Sequence, residues 1–141
     1  MTVSVKTKWQ GNIKFQSEGQ NTGFSVNMDG KKDAGGDGSA SSPMEMVLHG
    51  VAGCMGIDIC VIMRHNMDKV ESLEMEVVGT RNDAVPKSYT DVVVKVYVEG
   101  TVPAKVVKRA VHLSHDKYCS AINSLNAETK VETYLNGGRI D

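Results

Sequence analysis

At 141 residues with 40% hydrophobic content, the chain has the length of one domain, 1–141, and the apolar material for one core. Its 16 basic and 17 acidic residues leave a net charge of −1 and form no basic stripe, which excludes the electrostatic footprint of a nucleic-acid or anionic-membrane binder. Three cysteines, an odd number, exclude a secreted disulfide framework and make a reducing cytoplasm the expected setting, where any disulfide is transient.

The opening segment Met1 to Trp9 lacks the apolar run and cleavage site of a signal peptide. From Val3 to Trp9 it alternates with period two, turns at Gln10-Gly11-Asn12 and resumes at Ile13-Lys14-Phe15. With a further strand at Gly23 to Asn27 it predicts a small meander. The stretch Asp29 to Ser41, rich in glycine and small polar residues, predicts a mobile surface loop.

Ser42-Pro43-Met44-Glu45 is a helix start, with a serine cap, proline at the first helical position and glutamate placed to close a capping box. The helix is predicted to run to about Asn66. It is apolar enough to raise a membrane span, but it holds His49, Asp58 and three glycines. An ionisable group at the bilayer centre costs roughly 2.5 to 3.5 kcal/mol. The expectation is therefore a central helix buried by the rest of the protein, and, for a chain this short, by a second subunit.

Leu73 to Thr80 and Asp91 to Val98 predict a long hairpin across a loop around Asp83 to Lys87. Pro103 opens a second helix to about Leu113, a third is predicted from Cys119 to Asn126, and Lys130 to Leu135 closes the chain as a strand. This order predicts an α+β fold with antiparallel sheets around a long helix.

Two cysteines sit in contrasting settings. Cys119, near the predicted start of the third helix and two residues after Lys117, has reasons for a lowered pKa. Cys54 lies in mid-helix and is either a buried core thiol or, if a cation or donor reaches it, a nucleophile. Cys60 points about 120° away from Cys54 around the helix and reads as core packing. Glu45 is either the capping carboxylate or a group that orients an arginine or a substrate. His112, His115 and Cys119 would share a face of an unbroken helix as metal ligands, but no fourth ligand is visible and the helix is expected to break near Asp116. Arg81 and Tyr89 read as a solvated strand end. Gly50, Gly53 and Gly56 would admit a close backbone neighbour.

Ser42-Pro43-Met44-Glu45-Met46-Val47-Leu48, Gly53-Cys54, and Arg109 to Ser114 followed by Lys117-Tyr118-Cys119-Ser120 together resemble the OsmC/Ohr family of osmotically inducible and organic hydroperoxide resistance proteins. The resemblance implies an intertwined homodimer with sites at the subunit interface. It also implies a thiol peroxidase of the stress response, with Cys54 peroxidatic, Cys119 resolving and Glu45 in the site. No bound cofactor is implied; the substrate is an organic hydroperoxide, and an external dithiol such as dihydrolipoamide reopens the disulfide. In the family's peroxidase branches a glutamate directly follows the helix-opening proline and pairs with an N-terminal arginine. Here Met44 follows Pro43 and residues 1–63 contain no arginine. The nearby cations Lys6, Lys8, Lys14, Lys31 and Lys32 cannot reproduce a bidentate fork, which leaves Arg81 or Arg109 as the replacement. The other reading is a non-catalytic dimer that holds a hydrophobic ligand in the same pocket or acts as a redox sensor.

Overall fold

Seven strands and two α-helices, in an α+β arrangement, make up the computed structural model, which describes all 141 residues. They form two compact units, Met1–Val47 and Leu48–Asp141.

The first unit is the predicted meander. Strands β1 (Val5–Trp9), β2 (Lys14–Gly19) and β3 (Ser25–Asp29) pair antiparallel in sequence order, with Trp9 opposite Phe15 and Phe15 opposite Met28. The glycine-rich loop after β3 is at the surface, as expected, but it is tied down rather than loose. Asp29, 2% exposed, accepts the Ser39 N–H at 2.9 Å and the Ser39 hydroxyl at 2.6 Å. The Ser39 hydroxyl, with help from nearby backbone N–H groups, holds the Asp29 carboxyl below its ordinary range. Lys14 pairs with Asp37 at 2.7 Å. Gly36 lies so close to the Gly30 backbone that a side chain there would collide with it, which is why the loop can close.

The second unit carries the core. Helix α1 (Pro43–Ile62) begins where expected and ends earlier than expected, at Ile62. A 3₁₀ segment, Arg64–Lys69, follows it into strand β4 (Val70–Arg81). β4 pairs antiparallel with β5 (Tyr89–Gly100) as the predicted hairpin, with Leu73 opposite Val98, Met75 opposite Val96 and Val77 opposite Val94. Helix α2 (Ala104–Leu113) then returns the chain so that β6 (Glu128–Leu135) lies parallel to β5. A parallel neighbour requires such a crossover, and this pair departs from the expected all-antiparallel sheet. A two-residue strand β7 (Gly138–Arg139), not anticipated, finishes the sheet in the order β4-β5-β6-β7.

The period-two alternation of β5 puts Val92, Val94, Val96 and Val98 at no more than 1% exposure. Against them pack Val51, Met55, Ile59 and Met63, at four-residue spacing along and just beyond α1, and Val107, Ala110 and Val111 of α2. Within one chain α1 is therefore buried along one stripe only. Ile57 is 68% and Val61 50% exposed, on a helix whose mean hydropathy is 1.6. Of the three glycines, Gly56 has the Met75 sulfur against it, while Gly50 and Gly53 face open space.

Candidate functional site

Cys54 and Asp58 sit at i and i+4 on α1, so their side chains leave the same helix face, one turn apart. That face flanks the buried Val51–Met55–Ile59 stripe, and both residues are half-buried. The third member comes from far along the chain. After Leu113 the helical path widens into one π turn, Ser114–Tyr118, closed by the Cys119 N–H donating to the Ser114 carbonyl at 2.7 Å. Such widened turns recur at functional sites. Here the turn leaves Ser114 and Cys119 both fully buried. The Cys54 sulfur, the Cys119 sulfur and an Asp58 carboxylate oxygen all lie within 4.8 Å of one another, and the Ser114 hydroxyl donates to Asp58 Oδ2 at 3.0 Å.

The setting of Cys119 corrects the expectation drawn from its neighbours. No third α-helix starts there; a single 3₁₀ turn, Ile122–Ser124, stands in its place, too short to carry a helix dipole. The Ile122 N–H does donate to the Cys119 sulfur at 3.3 Å, and Asn123 ties down the Cys119 carbonyl. Lys117 points elsewhere, with its ammonium 5.3 Å from the centre of the Tyr118 ring. Burial outweighs the Ile122 hydrogen bond, and the neighbouring Cys54 sulfur adds to it, so the Cys119 thiol is pushed up to about 11 rather than lowered. At neutral pH it holds its proton.

Asp58 also lines a cleft of about 470 Å³ whose other walls are Val61, Ile62, Arg109, Leu113 and Tyr118. In the sequence alone, Asp58 counts only as an ionisable residue against a membrane span. The signal that could have singled it out is its four-residue spacing from Cys54. Of the two arginines considered as replacement cations, Arg81 is committed to the hairpin loop, where its Nε–H donates to the Lys87 carbonyl at 2.7 Å. Arg109 is exposed and lines the cleft with Asp58.

The remaining predicted residues do not join this cluster. Glu45 is exposed in the first turn of α1, and its backbone N–H donates to the Ser42 hydroxyl at 3.3 Å, so the helix start is capped as the sequence predicts. Cys60 is half-buried but lies outside the core cluster, which overturns its reading as core packing. The three ligands proposed for a metal are dispersed. His112 bonds Asp141 at 3.1 Å, and His115 bonds Asp116 at 2.7 Å and Thr129 at 2.8 Å, while Cys119 faces Cys54. Tyr89 is half-buried, with its ring over Gly79, rather than solvated. The Cys54–Asp58–Cys119 set brings three potential donors together, one fewer than a closed structural zinc site takes, and it sets a carboxylate beside two thiols.

Residues 36–134 match the family model described as OsmC-like protein. The chain belongs to the OsmC-like family. Protein YhfA of Escherichia coli K12 is 34% identical over 119 residues, which is 84% of this chain and 85% of that protein. Among solved structures, an OsmC-like protein from Mycoplasma pneumoniae superposes with a TM-score of 0.79 at 15% identity, covering 96% of this chain and 97% of that one. An organic hydroperoxide resistance protein from Elizabethkingia anophelis does so with a TM-score of 0.71 at 15% identity, covering 96% of each chain. These two likenesses show the OsmC-like fold.

Proposed function

We propose that this OsmC-like protein is a thiol-dependent organic hydroperoxide reductase in which Cys54 is peroxidatic and Cys119 resolving. The observation that carries the reading is the convergence of the two sulfurs, from a helix and from a turn far along the chain, to within 4.8 Å. Cys54 is half-buried and Cys119 fully buried, so Cys54 is the sulfur a peroxide can approach. Its thiolate attacks the distal oxygen, the O–O bond breaks, and the alkoxide leaves with a proton as the alcohol. The resulting Cys54 sulfenic acid condenses with the Cys119 thiol, releasing water and forming a disulfide that an external dithiol reduces back to two thiols. Arg109, in the cleft shared with Asp58, is the arginine placed to meet the polar end of a substrate. Glu45 keeps the role the family resemblance gives it, orienting a cation or the substrate.

The same reading takes the protein as a homodimer in the cytoplasm. An 18-residue window of α1 with mean hydropathy 1.6 is only 17% buried by its own chain. At about 25 cal/mol per Å² of apolar surface, covering it is strongly favourable. A second copy suits a helix that carries His49 and Asp58 better than lipid does.

Thiol titration before and after one equivalent of cumene hydroperoxide tests the chemistry. Two thiols should disappear, peptide mapping should find a Cys54–Cys119 bridge, and Cys54→Ser should lose turnover. Survival of all three thiols in excess peroxide would sink the peroxidase reading in favour of a ligand-binding dimer.

A further inference from the structure

The Cys54–Cys119 closure has an unassigned step, the removal of a proton from a buried thiol. A thiolate, not a thiol, attacks, and with burial pushing Cys119 up to about 11 only about one molecule in ten thousand carries it spontaneously at neutral pH. A base close to both sulfurs would remove that limit.

We propose that Asp58 is the proton carrier of ring closure, taking the proton from the Cys119 thiol as its sulfur attacks Cys54 and delivering it to the hydroxide that leaves the Cys54 sulfenic acid. Atoms balance without another reactant: one S–S bond forms, one S–O bond breaks, and the thiol proton departs in water. The proton-delivery half rests on the peroxidase reading, whereas the proton-accepting half applies to any leaving group on Cys54.

Three features place Asp58 in this role. Its carboxylate oxygen is within 4.8 Å of both sulfurs, a separation one water molecule or a small rotation spans, as resting acid–base pairs often require. The fully buried Ser114 hydroxyl holds one carboxylate oxygen at 3.0 Å, which fixes the side chain's orientation. Asp58 also opens onto the cleft, through which the released water can leave. The ionisable groups around it are Cys54 on its own helix, Cys119 beyond the π turn, Arg109 of α2 and Tyr118 of the π turn. Of these, Arg109 is the one cation, and it shares the cleft with Asp58.

The test caps Cys54 with 2,2′-dithiodipyridine in a Cys60→Ser background and follows the thiopyridone released when Cys119 displaces it, from pH 6 upward. With Asp58 present the rate should change little around neutrality. Asp58→Asn, which can still accept the Ser114 hydrogen bond, should slow closure at pH 7 at least tenfold, with a deficit that shrinks as pH rises. Asp58→Glu should recover part of the rate. Closure by Asp58→Asn at the parent rate, or a deficit constant across pH, would overturn the assignment, the second because it marks a structural role only. A parallel arm with cumene hydroperoxide and dimedone should show a higher ratio of Cys54 adduct to disulfide in Asp58→Asn. Neither adduct nor disulfide in the parent protein would dismiss the peroxidase reading alone, since the dithiodipyridine arm decides Asp58 independently.

Discussion

The meander of Met1–Val47 and the sheet of Leu48–Asp141 are written in the same period-two alternation and end in opposite states of burial. On β5 the alternate valines are at most 1% exposed, whereas on β1 Val5 is 66% and Trp9 65% exposed, and Phe24 beside β3 is 80% exposed. The residues buried in the meander unit, Ser17 and Asp29, are polar. Alternation decides which side chains share a face; what covers that face comes from elsewhere in the protein. For β5 the cover is α1 and α2 of the same chain. For the meander and for the outer side of α1 we propose that it is a second copy, which makes the least buried half of the molecule the half most dependent on assembly.

Truncations in the packed core and in the exposed meander should test that contrast most strongly. Ile59→Ala, in the packed core, should cost about 2–5 kcal/mol in denaturant unfolding. Phe24→Ser should cost under about 0.5 kcal/mol if the meander stays exposed. If a second copy covers it, Phe24→Ser should instead lower the melting temperature by an amount that depends on protein concentration, with light scattering showing loss of the dimer. A negligible effect at every concentration would mean that the exposed meander is not part of an interface.

A smaller effect belongs to the packed half and concerns pH. Cys119 titrates near 11 when folded, against 9.0 for an unperturbed thiol. The folded state holds this proton more tightly, so the stability associated with it is complete below pH 9 and is lost as pH rises from 9 toward 11. Cys119→Ala should flatten that part of the stability profile. In native protein, iodoacetamide should label Cys119 more slowly than either other cysteine at pH 8; equal labelling would show the sulfur to be more accessible than its burial implies.

A further effect lies at the start of α1. Ser42→Ala removes the acceptor for the Glu45 N–H and should cost about 1 kcal/mol. Glu45→Gln should leave stability nearly unchanged, so a fall in peroxidase turnover in that variant would report on Glu45 as a site residue.

Much of the architecture was legible because it is local. The three early strands, the capped start of α1, the β4–β5 hairpin and α2 each follow from a period or a turn signal within a few residues of where they form. Two features were not. The parallel placement of β6 depends on where α2 returns the chain, and a strand's own alternation is the same in either direction. The segment after Leu113 holds residues that read as a helix start, but it forms one wide π turn and then one 3₁₀ turn, with Ser114, Cys119 and Ile122 drawn into the core.

The site divides along the same line. The family was readable from the proline-opened helix and the two cysteine settings, and the i and i+4 placement of Cys54 and Asp58 is encoded in their spacing. That Cys119 meets them, that Ser114 braces the carboxylate, and that burial overrides a nearby lysine in setting the Cys119 thiol all follow from the folded chain. Those outcomes depend on desolvation and on distances between residues remote in the chain, which neither a local period nor neighbouring charges encode.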